Sequence, residues 1–303
     1  MKNLIIDGGN LLHRTYHTSK GKGYVNDEGK DFSHVVLFVK NIKYLKEMLS
    51  CDRIFLSWDI RDDDFMNFRH EFTDYKEQRD RESSDDIHKF DKILWKITEK
   101  LGVTNIRANK LEGDDIIYFL CDKYSDDENY VVSNDNDFLQ LFNLFENVKI
   151  YNPNKRVLIT ADSAEKYNGG VSNEKYLLYK AIMGDKSDNI DGLYKYGPVK
   201  SKKFVENFEE NFKLLNESDQ KTIKRNLKVM SLKYASKFYQ DEGVYFNDQD
   251  IVPDVSVNEF FYILDKMGIK KYIGYKMDWY DEFGKNGTNF TDQLKNMIDT
   301  INN

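Results

Sequence analysis

The sequence predicts an α/β protein with a mostly parallel central sheet flanked by helices. A predicted strand over residues 2–6 ends at Asp7, and a second over residues 53–58 ends at Asp59. Between them, residues 32–49 place apolar side chains at helical spacing. This order of strand, helix and strand is typical of parallel strands joined by a right-handed crossover. Because sites in such sheets lie beyond the carboxyl ends of the strands, we expect Asp7 and Asp59 to project there.

The same alternation continues along the chain. We expect helices after Gly8, over 90–101, over 138–145, over 176–183 and from about residue 199, with strands over 130–132, 148–151 and 157–159. Residues 60–90 interrupt this alternation because they are highly charged and lack a clean apolar face. That segment is either a solvated insertion or a lid over the acidic side chains.

Composition narrows the class of protein. The 303 residues are 40% hydrophobic and 32% charged, which is typical of a globular protein with one large domain or two smaller ones. The 2 cysteines form no CxxC motif, so we expect buried thiols in a reducing compartment rather than a disulfide framework. No apolar stretch approaches membrane-spanning length. We therefore expect a cytoplasmic protein that does not enter a membrane.

Charge is distributed unevenly. The net charge is −7, which by itself argues weakly against a polyanionic partner. Residues 200–240, however, include ten basic and five acidic residues. Lys200, Lys202 and Lys203 are at the start of this segment. Such a run is either a solvated helix face or a track for a phosphate backbone.

Nine acidic residues come from five places in the sequence, at strand ends, helix starts and turns. They are Asp7, Asp59, Glu112, Asp114, Asp115, Asp135, Asp137, Asp185 and Asp188. Taken singly, these groups fit helix first turns and Asx turns. Taken together, crowded carboxylates need a positive partner, since burying unpaired charge is costly.

The ligand types indicate which cation this would be. His13 and His17 are four residues apart, but no third zinc ligand follows in a zinc pattern, so zinc is disfavoured. A ligand set made only of oxygen atoms favours Mg²⁺, with Mn²⁺ as a substitute. Acids in two groups indicate two metals about 4 Å apart, the arrangement used for phosphodiester hydrolysis. Arg14, Lys76 and Arg79 are candidates to clamp the scissile phosphate, and Tyr75 is a candidate to stack on a base.

At this point the sequence resembles the 5′-nuclease family, which includes bacteriophage 5′–3′ exonucleases and flap endonucleases and the 5′-nuclease domain of bacterial DNA polymerase I. The resemblance covers roughly residues 1 to 230. The residues that carry it are Asp7-Gly8-Gly9-Asn10-Leu11 with Arg14, Tyr75-Lys76-Glu77-Gln78-Arg79, Glu112-Gly113-Asp114-Asp115, Ser133-Asn134-Asp135-Asn136-Asp137, and the stretch 180–190 from Lys180 to Ile190. The last stretch is the most specific single match.

The resemblance implies a fold and a division of the chain. It implies a nuclease core over residues 1–183 with a helical arch inserted at about 60–92. A helix-hairpin-helix DNA-binding region would follow at 184–240, and a mostly helical region at 241–303. The family usually has a glycine in the hairpin where this chain has Lys195, and a basic residue where it has Val199.

The resemblance also implies roles for single residues. Glu112 and Asp114, with Asp7 and Asp59, would serve a first Mg²⁺. Asp135, Asp137, Asp185 and Asp188 would serve a second, with Asp115 near both. Lys76 and Arg79 would meet the scissile phosphate at the base of the arch. Gly192, Gly197, Lys200, Lys202 and Lys203 would belong to the hairpin that grips duplex DNA, with a bound K⁺.

The expected function is thus that of a Mg²⁺-dependent, structure-specific 5′ nuclease in DNA replication or repair. Its substrates would be branched or 5′-ended duplex DNA and RNA–DNA hybrids, including RNA primers. We expect a monomer, and a single-strand DNA-binding protein is a candidate partner. Two alternatives remain open at this stage: a PIN-type ribonuclease, and a DNA-junction binding protein without catalysis.

Overall fold

The computed structural model describes residues 1–59, 67–77, 89–241 and 255–284. The chain forms two compact units, each assembled from separate stretches. The first unit contains residues 1–56, 82–106 and 247–303, and the second contains residues 57–81 and 107–246.

The first unit begins with the strand, helix and strand that the sequence predicts. Its strands β1 (Lys2–Asp7), β2 (Arg53–Ser57) and β3 (Val103–Ile106) are neighbours in the order β3-β2-β1. The helices are α1 (Gly8–Ser19), α2 (Ser33–Leu49) and α3 (Asp91–Glu99). Helix α1 starts directly after β1, because the Asp7 carboxylate accepts a hydrogen bond from the Asn10 N–H at 2.8 Å. Strand β3 was not among the predicted elements.

The second unit holds three further strands and the helix that carries the acidic pair Asp114 and Asp115. Helix α4 (Gly113–Lys123) precedes β4 (Glu128–Val132), β5 (Val148–Asn152) and β6 (Val157–Ile159). Strands β4 and β5 are parallel, with Asn129 opposite Val148, whereas β5 and β6 are antiparallel, with Ile150 opposite Ile159. Between β4 and β5 the chain forms a 3₁₀ helix, Asn136–Asn143, where the sequence predicts an α-helix.

Helices complete the second unit. They are α5 (Asn173–Met183), α6 (Pro198–Glu206), α7 (Phe208–Lys213), α8 (Glu217–Met230) and α9 (Leu232–Asp241). A two-stranded antiparallel ribbon, β7 (Gly184–Asp185) and β8 (Ile190–Asp191), lies between α5 and α6. The buried Asn226 side chain ties α8 to this ribbon, since its amide donates to the carbonyl oxygens of Ala181 and Asp191, each at 2.8 Å.

The C-terminal stretch returns to the first unit. Helices α10 (Val257–Lys266) and α11 (Lys276–Phe283) pack through Phe260 and Trp279, whose ring centroids are 4.9 Å apart. The Tyr272 hydroxyl donates to the Val25 carbonyl at 2.9 Å, and its ring lies 4.9 Å from that of Tyr24. This stretch therefore braces the loop between α1 and α2.

The three consecutive regions expected from the sequence stay a prediction, and each of the two units is assembled from separate stretches of chain. Helices α6–α9 group with the chain from residue 107 because α8 packs on α5 and α9 packs on α4. Residues 60–66 and 78–88, which include most of the expected arch, lie outside the described residues. Within the described part of the chain, no helix is long and apolar enough to span a membrane.

Candidate active site

Arg69 organises the first group of charged side chains, at the start of α4. This arginine is only 3% exposed, and its guanidinium makes two hydrogen bonds to the Asp115 carboxylate, at 2.8 and 3.1 Å. Its Nε donates to the Val229 carbonyl at 3.0 Å, and Nη1 lies 3.4 Å from Glu112. A bidentate pair of this kind fixes both partners. The buried Asp115 is therefore held by a cation of the protein itself.

Glu112 is enclosed by three side chains. Lys76 donates to its Oε1 at 3.0 Å, and the Tyr75 hydroxyl donates to its Oε2 at 3.0 Å. Burial by itself raises the pKa of Glu112, but the charges of Lys76 and then Arg69 outweigh this and lower the pKa to about 2. Glu112 is thus a carboxylate at neutral pH, and both of its oxygens are engaged.

This pairing predicts an acid-sensitive contribution to stability. The pKa of Glu112 is about 2 in the folded protein, below its ordinary value of 4.5. The unfolded chain therefore binds more protons in that window, so the contribution is fully present above about pH 4.5 and is lost as the pH falls toward 2. Chemical unfolding at several pH values should show that the free energy of unfolding falls more steeply with decreasing pH in the parent protein than in Glu112→Gln. Equal slopes below pH 4.5 would contradict the assignment of this pKa.

Lys180 organises the second group. Its ammonium lies 2.7 Å from Asp137 and 2.5 Å from Asp185, and its side chain is 12% exposed. Asp135 adjoins them, because its Oδ1 accepts a hydrogen bond from the Asp137 N–H at 2.8 Å. The pKa of Asp137 is raised, mainly by burial, with Asp135 and Asp185 adding repulsion that Lys180 only partly offsets. Lys180 thus pairs with two carboxylates, and Asp135 adjoins the first of them.

The second group fits a divalent metal in donor chemistry. Its ligand atoms are all carboxylate oxygens, the type that Mg²⁺ and Mn²⁺ prefer. The repulsion that Asp135 and Asp185 exert on Asp137 is only partly offset by Lys180, so a divalent cation would be favoured here. Among the residues that the structure describes, no three Asp, Glu, His or Cys side chains already stand at metal-binding separation. The oxygens of Asp137 and Asp185 are paired with the Lys180 ammonium.

The remaining predicted acids have separate positions. Asp59 accepts a hydrogen bond from the Gly113 N–H at 2.7 Å, so it adjoins the start of α4. Asp114 lies in the first turn of that helix, and Asp188 lies 3.4 Å from the Tyr75 hydroxyl. Asp7 belongs to the first unit, where it caps α1. Arg14, on the same helix, donates to Asn41 at 3.1 Å. Arg79 lies outside the described residues.

The position of Tyr75 does not fit the expectation that it stacks on a base. The residue is 4% exposed and packs in a small apolar cluster with Ile190, Val229 and Met230. Its hydroxyl reaches both Glu112 and Asp188. In this structure the ring offers no open face, so we assign it the role of positioning Glu112.

One of the two predicted hairpin glycines, Gly192, has a steric explanation, and Gly197 has none. A Cβ atom on Gly192 would stand 2.2 Å from the Met183 carbonyl oxygen, so only glycine lets β8 pass the end of α5. Gly197 precedes Pro198 at the start of α6 and has open space around it. Lys195, at the position where the family usually has glycine, takes a left-handed backbone with φ of 61°. The turn thus keeps a conformation that glycine would adopt without strain.

The three predicted hairpin lysines do not share one surface. Lys200 and Lys203 are exposed and line an open pocket of about 410 Å³ with Tyr196 and Leu214 among its walls. The Lys202 ammonium lies beside Gly170 instead, 2.6 Å from the position that a Cβ atom on that glycine would take. A phosphate track through this helix would therefore use Lys200 and Lys203.

Sequence reasoning missed the two cations at the centres of these groups. Arg69 falls in the charged stretch interpreted as an excursion, where nothing in the sequence marks one arginine as buried. Lys180 opens the most specific of the matching stretches and stands five residues before Asp185. No periodicity marks this pair, because five residues exceed the i, i+4 spacing of helix neighbours and Asp185 lies beyond the end of α5 at Met183.

Comparison with known proteins shows which family the chain resembles. Residues 2–169, more than half of the chain, match the family described as 5′–3′ exonuclease, N-terminal resolvase-like domain. The 5′–3′ exonuclease of Mycoplasmopsis pulmonis is 28% identical over 286 residues, which cover 92% of this chain and 91% of that protein. The thermostable DNA polymerase I of Thermus aquaticus is 28% identical over 221 residues, 71% of this chain and 25% of the polymerase.

A solved structure shows the same fold. The bacteriophage T5 D15 flap endonuclease, in a complex with DNA and metal ions, superposes with a TM-score of 0.65 at 19% identity, covering 89% of this chain and all of that one. This likeness confirms the predicted fold class, a mostly parallel sheet flanked by helices. With the family match over residues 2–169, it leads to one conclusion: the chain belongs to the 5′–3′ exonuclease family with an N-terminal resolvase-like domain.

Proposed function

We propose that this protein is a divalent-metal-dependent, structure-specific 5′ nuclease that hydrolyses phosphodiester bonds at 5′ ends and 5′ flaps of DNA. The observation that carries the proposal is the pairing of Asp137 and Asp185 with Lys180, with Asp135 beside Asp137. Membership in the 5′–3′ exonuclease family supports it, as do the names of the relatives. The T5 structure, a flap endonuclease with DNA and metal ions, adds support for the substrate class.

Mg²⁺ is the ion that we propose, with Mn²⁺ as a substitute. Asp135, Asp137, Asp185 and Asp188 would hold one ion. Glu112, Asp114 and Asp59 would hold a second, with Asp115 near both. A contribution from Asp7 stays a prediction from the sequence. When bound, such ions lower the pKa of an attacking water and offset charge on the phosphate.

The side chains of the protein would do the remaining work. Lys76 stands 3.0 Å from Glu112, so a cation is already held beside the carboxylates where a phosphate would arrive. It would form charge-assisted hydrogen bonds to the phosphate oxygens, with Arg79 and Arg14 as further candidates. Tyr75 fixes the orientation of Glu112 by hydrogen bonding. Lys200 and Lys203, both exposed, would contact the backbone of the duplex.

Removal of RNA primers during DNA replication or repair is the biological role that we propose. RNA–DNA hybrids would be substrates because contacts to phosphates do not by themselves distinguish the two sugars. K⁺ at the hairpin, docking of a single-strand DNA-binding protein and a monomeric state stay predictions from the sequence.

Cleavage of a 5′-labelled flap duplex, with Mg²⁺ and with EDTA, tests the proposal. We expect Mg²⁺-dependent release of a product cut at or near the junction, and no product in EDTA. A matched flap made of RNA on the same duplex separates this function from that of a PIN-type ribonuclease, which would cut only the RNA strand. Tight binding without any cleavage would replace the nuclease proposal by junction binding.

A further inference from the structure

The turn that joins β7 to β8 contacts both groups of charged side chains. At one end, Asp185 accepts hydrogen bonds from the N–H and the hydroxyl of Ser187 and pairs with Lys180. At the other end, Asp188 and Asn189 contact the segment that carries Tyr75 and Lys76. A change in this turn would therefore move the two groups relative to each other.

Asn189 is the residue through which the turn holds the Lys76 segment. Its side-chain amide donates to the Asp74 carbonyl at 2.7 Å. The Lys76 N–H, in return, donates to the Asp188 carbonyl at 3.1 Å. Below these hydrogen bonds, the Ile190 side chain packs in the same apolar cluster as Tyr75. We refer to these contacts between residues 74–76 and 188–190 as the latch.

Both sides of the latch hold a backbone that ordinary residues rarely adopt. Lys76 has a φ of 57° and Asn189 a φ of 58°, in the left-handed region. A residue other than glycine is strained there, although asparagine tolerates this region better than most. Such strain persists only where surrounding contacts determine the conformation, and it clusters at functional sites. For Lys76, the hydrogen bond to Asp188 and the contact with Glu112 are those contacts.

We propose that Asn189 is a positioning residue that sets the place of the Lys76 ammonium relative to the carboxylates of the reacting centre. This inference rests on the proposed nuclease function. Asn189 is exposed, so loss of its amide removes little buried packing. Its effect is on catalysis because a displacement of about 1 Å at a reacting group can lower a rate up to about 100-fold.

The decisive variant is Asn189→Gly. Glycine accepts a positive φ without strain, so this change removes the side-chain amide and leaves the turn able to form. We expect kcat for flap cleavage to fall about tenfold while KM stays within about twofold, since uniform binding of the DNA is unaffected. The melting temperature should stay close to that of the parent. Arg156→Gly is the matched control, because Arg156 is also exposed, has a φ of 54° and belongs to the same unit.

A double-mutant cycle with Lys76→Ala shows whether Asn189 acts through Lys76. If it does, Asn189→Gly should cause no further loss of kcat in the Lys76→Ala background. Hydrogen exchange supplies a readout that needs no activity: the Lys76 amide should exchange faster in Asn189→Gly than in the parent and in Arg156→Gly.

The outcomes separate this inference from the function on which it rests. A parent protein that cuts no flap overturns the nuclease proposal and the role of Asn189 together. An active parent with unchanged kcat in Asn189→Gly overturns the role of Asn189 alone. Losses that multiply independently in the double variant would show that Asn189 acts by some route other than Lys76.

Discussion

Replacing Asp137 with asparagine is expected to lower the rate of flap cleavage more than about 100-fold. Loss of a group that only supports a metal ligand costs up to about 100-fold, and loss of a ligand itself should cost more. Asp137 lies 2.7 Å from Lys180 and next to Asp135, so it is central to the group proposed to hold a metal. Asparagine keeps the size of the side chain and removes its charge. Single-turnover cleavage in Mg²⁺ measures the loss, and binding to the same labelled flap in EDTA should remain.

The control for this variant is Asp162→Asn. Asp162 is an exposed acid of the second unit in the 3₁₀ helix Ala161–Lys166, so its substitution removes the same charge elsewhere. It should cut at the parent rate. A normal cleavage rate for Asp137→Asn would show that the assignment of the metal site is wrong.

Replacing Arg69 with methionine is expected to lower the free energy of unfolding by about 3–5 kcal/mol, the usual cost of leaving one member of a buried ion pair without its partner. Arg69 is 3% exposed, and the bonds of its guanidinium to Asp115 and to the Val229 carbonyl connect α4 to α8. Urea unfolding followed by circular dichroism measures the change. The same variant should also lose cleavage activity, because Glu112 and Asp115 would no longer be held in place.

The double variant Arg69→Met with Asp115→Leu isolates the cause. Removing both charges eliminates the unpaired carboxylate, so the double variant should be more stable than Arg69→Met alone. If the effects of the two substitutions on the free energy of unfolding simply added, the destabilisation by Arg69→Met would come from lost packing around Arg69. It would then not come from an uncompensated charge on Asp115.

The sequence was a good guide to local structure. The run before Asp7 gave β1, and the apolar period over residues 32–49 gave α2 at Ser33–Leu49. These elements are specified by patterns that lie within one stretch of chain. The 3₁₀ helix Asn136–Asn143 departs from the predicted α-helix; it starts where Asp135 caps the Asp137 N–H, a local bond that favours a tight turn.

Contacts between residues far apart in the sequence could not be predicted from such local patterns. Arg69 and Asp115 are 46 residues apart, and Asn189 and Asp74 are 115 apart. No periodicity links such pairs. The acidic residues of the site could therefore be predicted from the sequence, but the basic residues that pair with them could not. Tyr75 shows the same limit of sequence analysis. An aromatic residue in a charged stretch is expected to be exposed, and only the structure shows that Tyr75 is buried against Ile190.

Binding of Mn²⁺, followed by electron paramagnetic resonance, tests the central claim most directly, because it reports on the carboxylates around Lys180 without requiring activity. The parent protein should bind Mn²⁺, and Mg²⁺ should compete for it. Asp137→Asn and Asp185→Asn should each weaken this binding, while Asp162→Asn should bind like the parent. Unchanged Mn²⁺ binding in both site variants, or none in the parent, would contradict a metal-dependent nuclease centred on these residues.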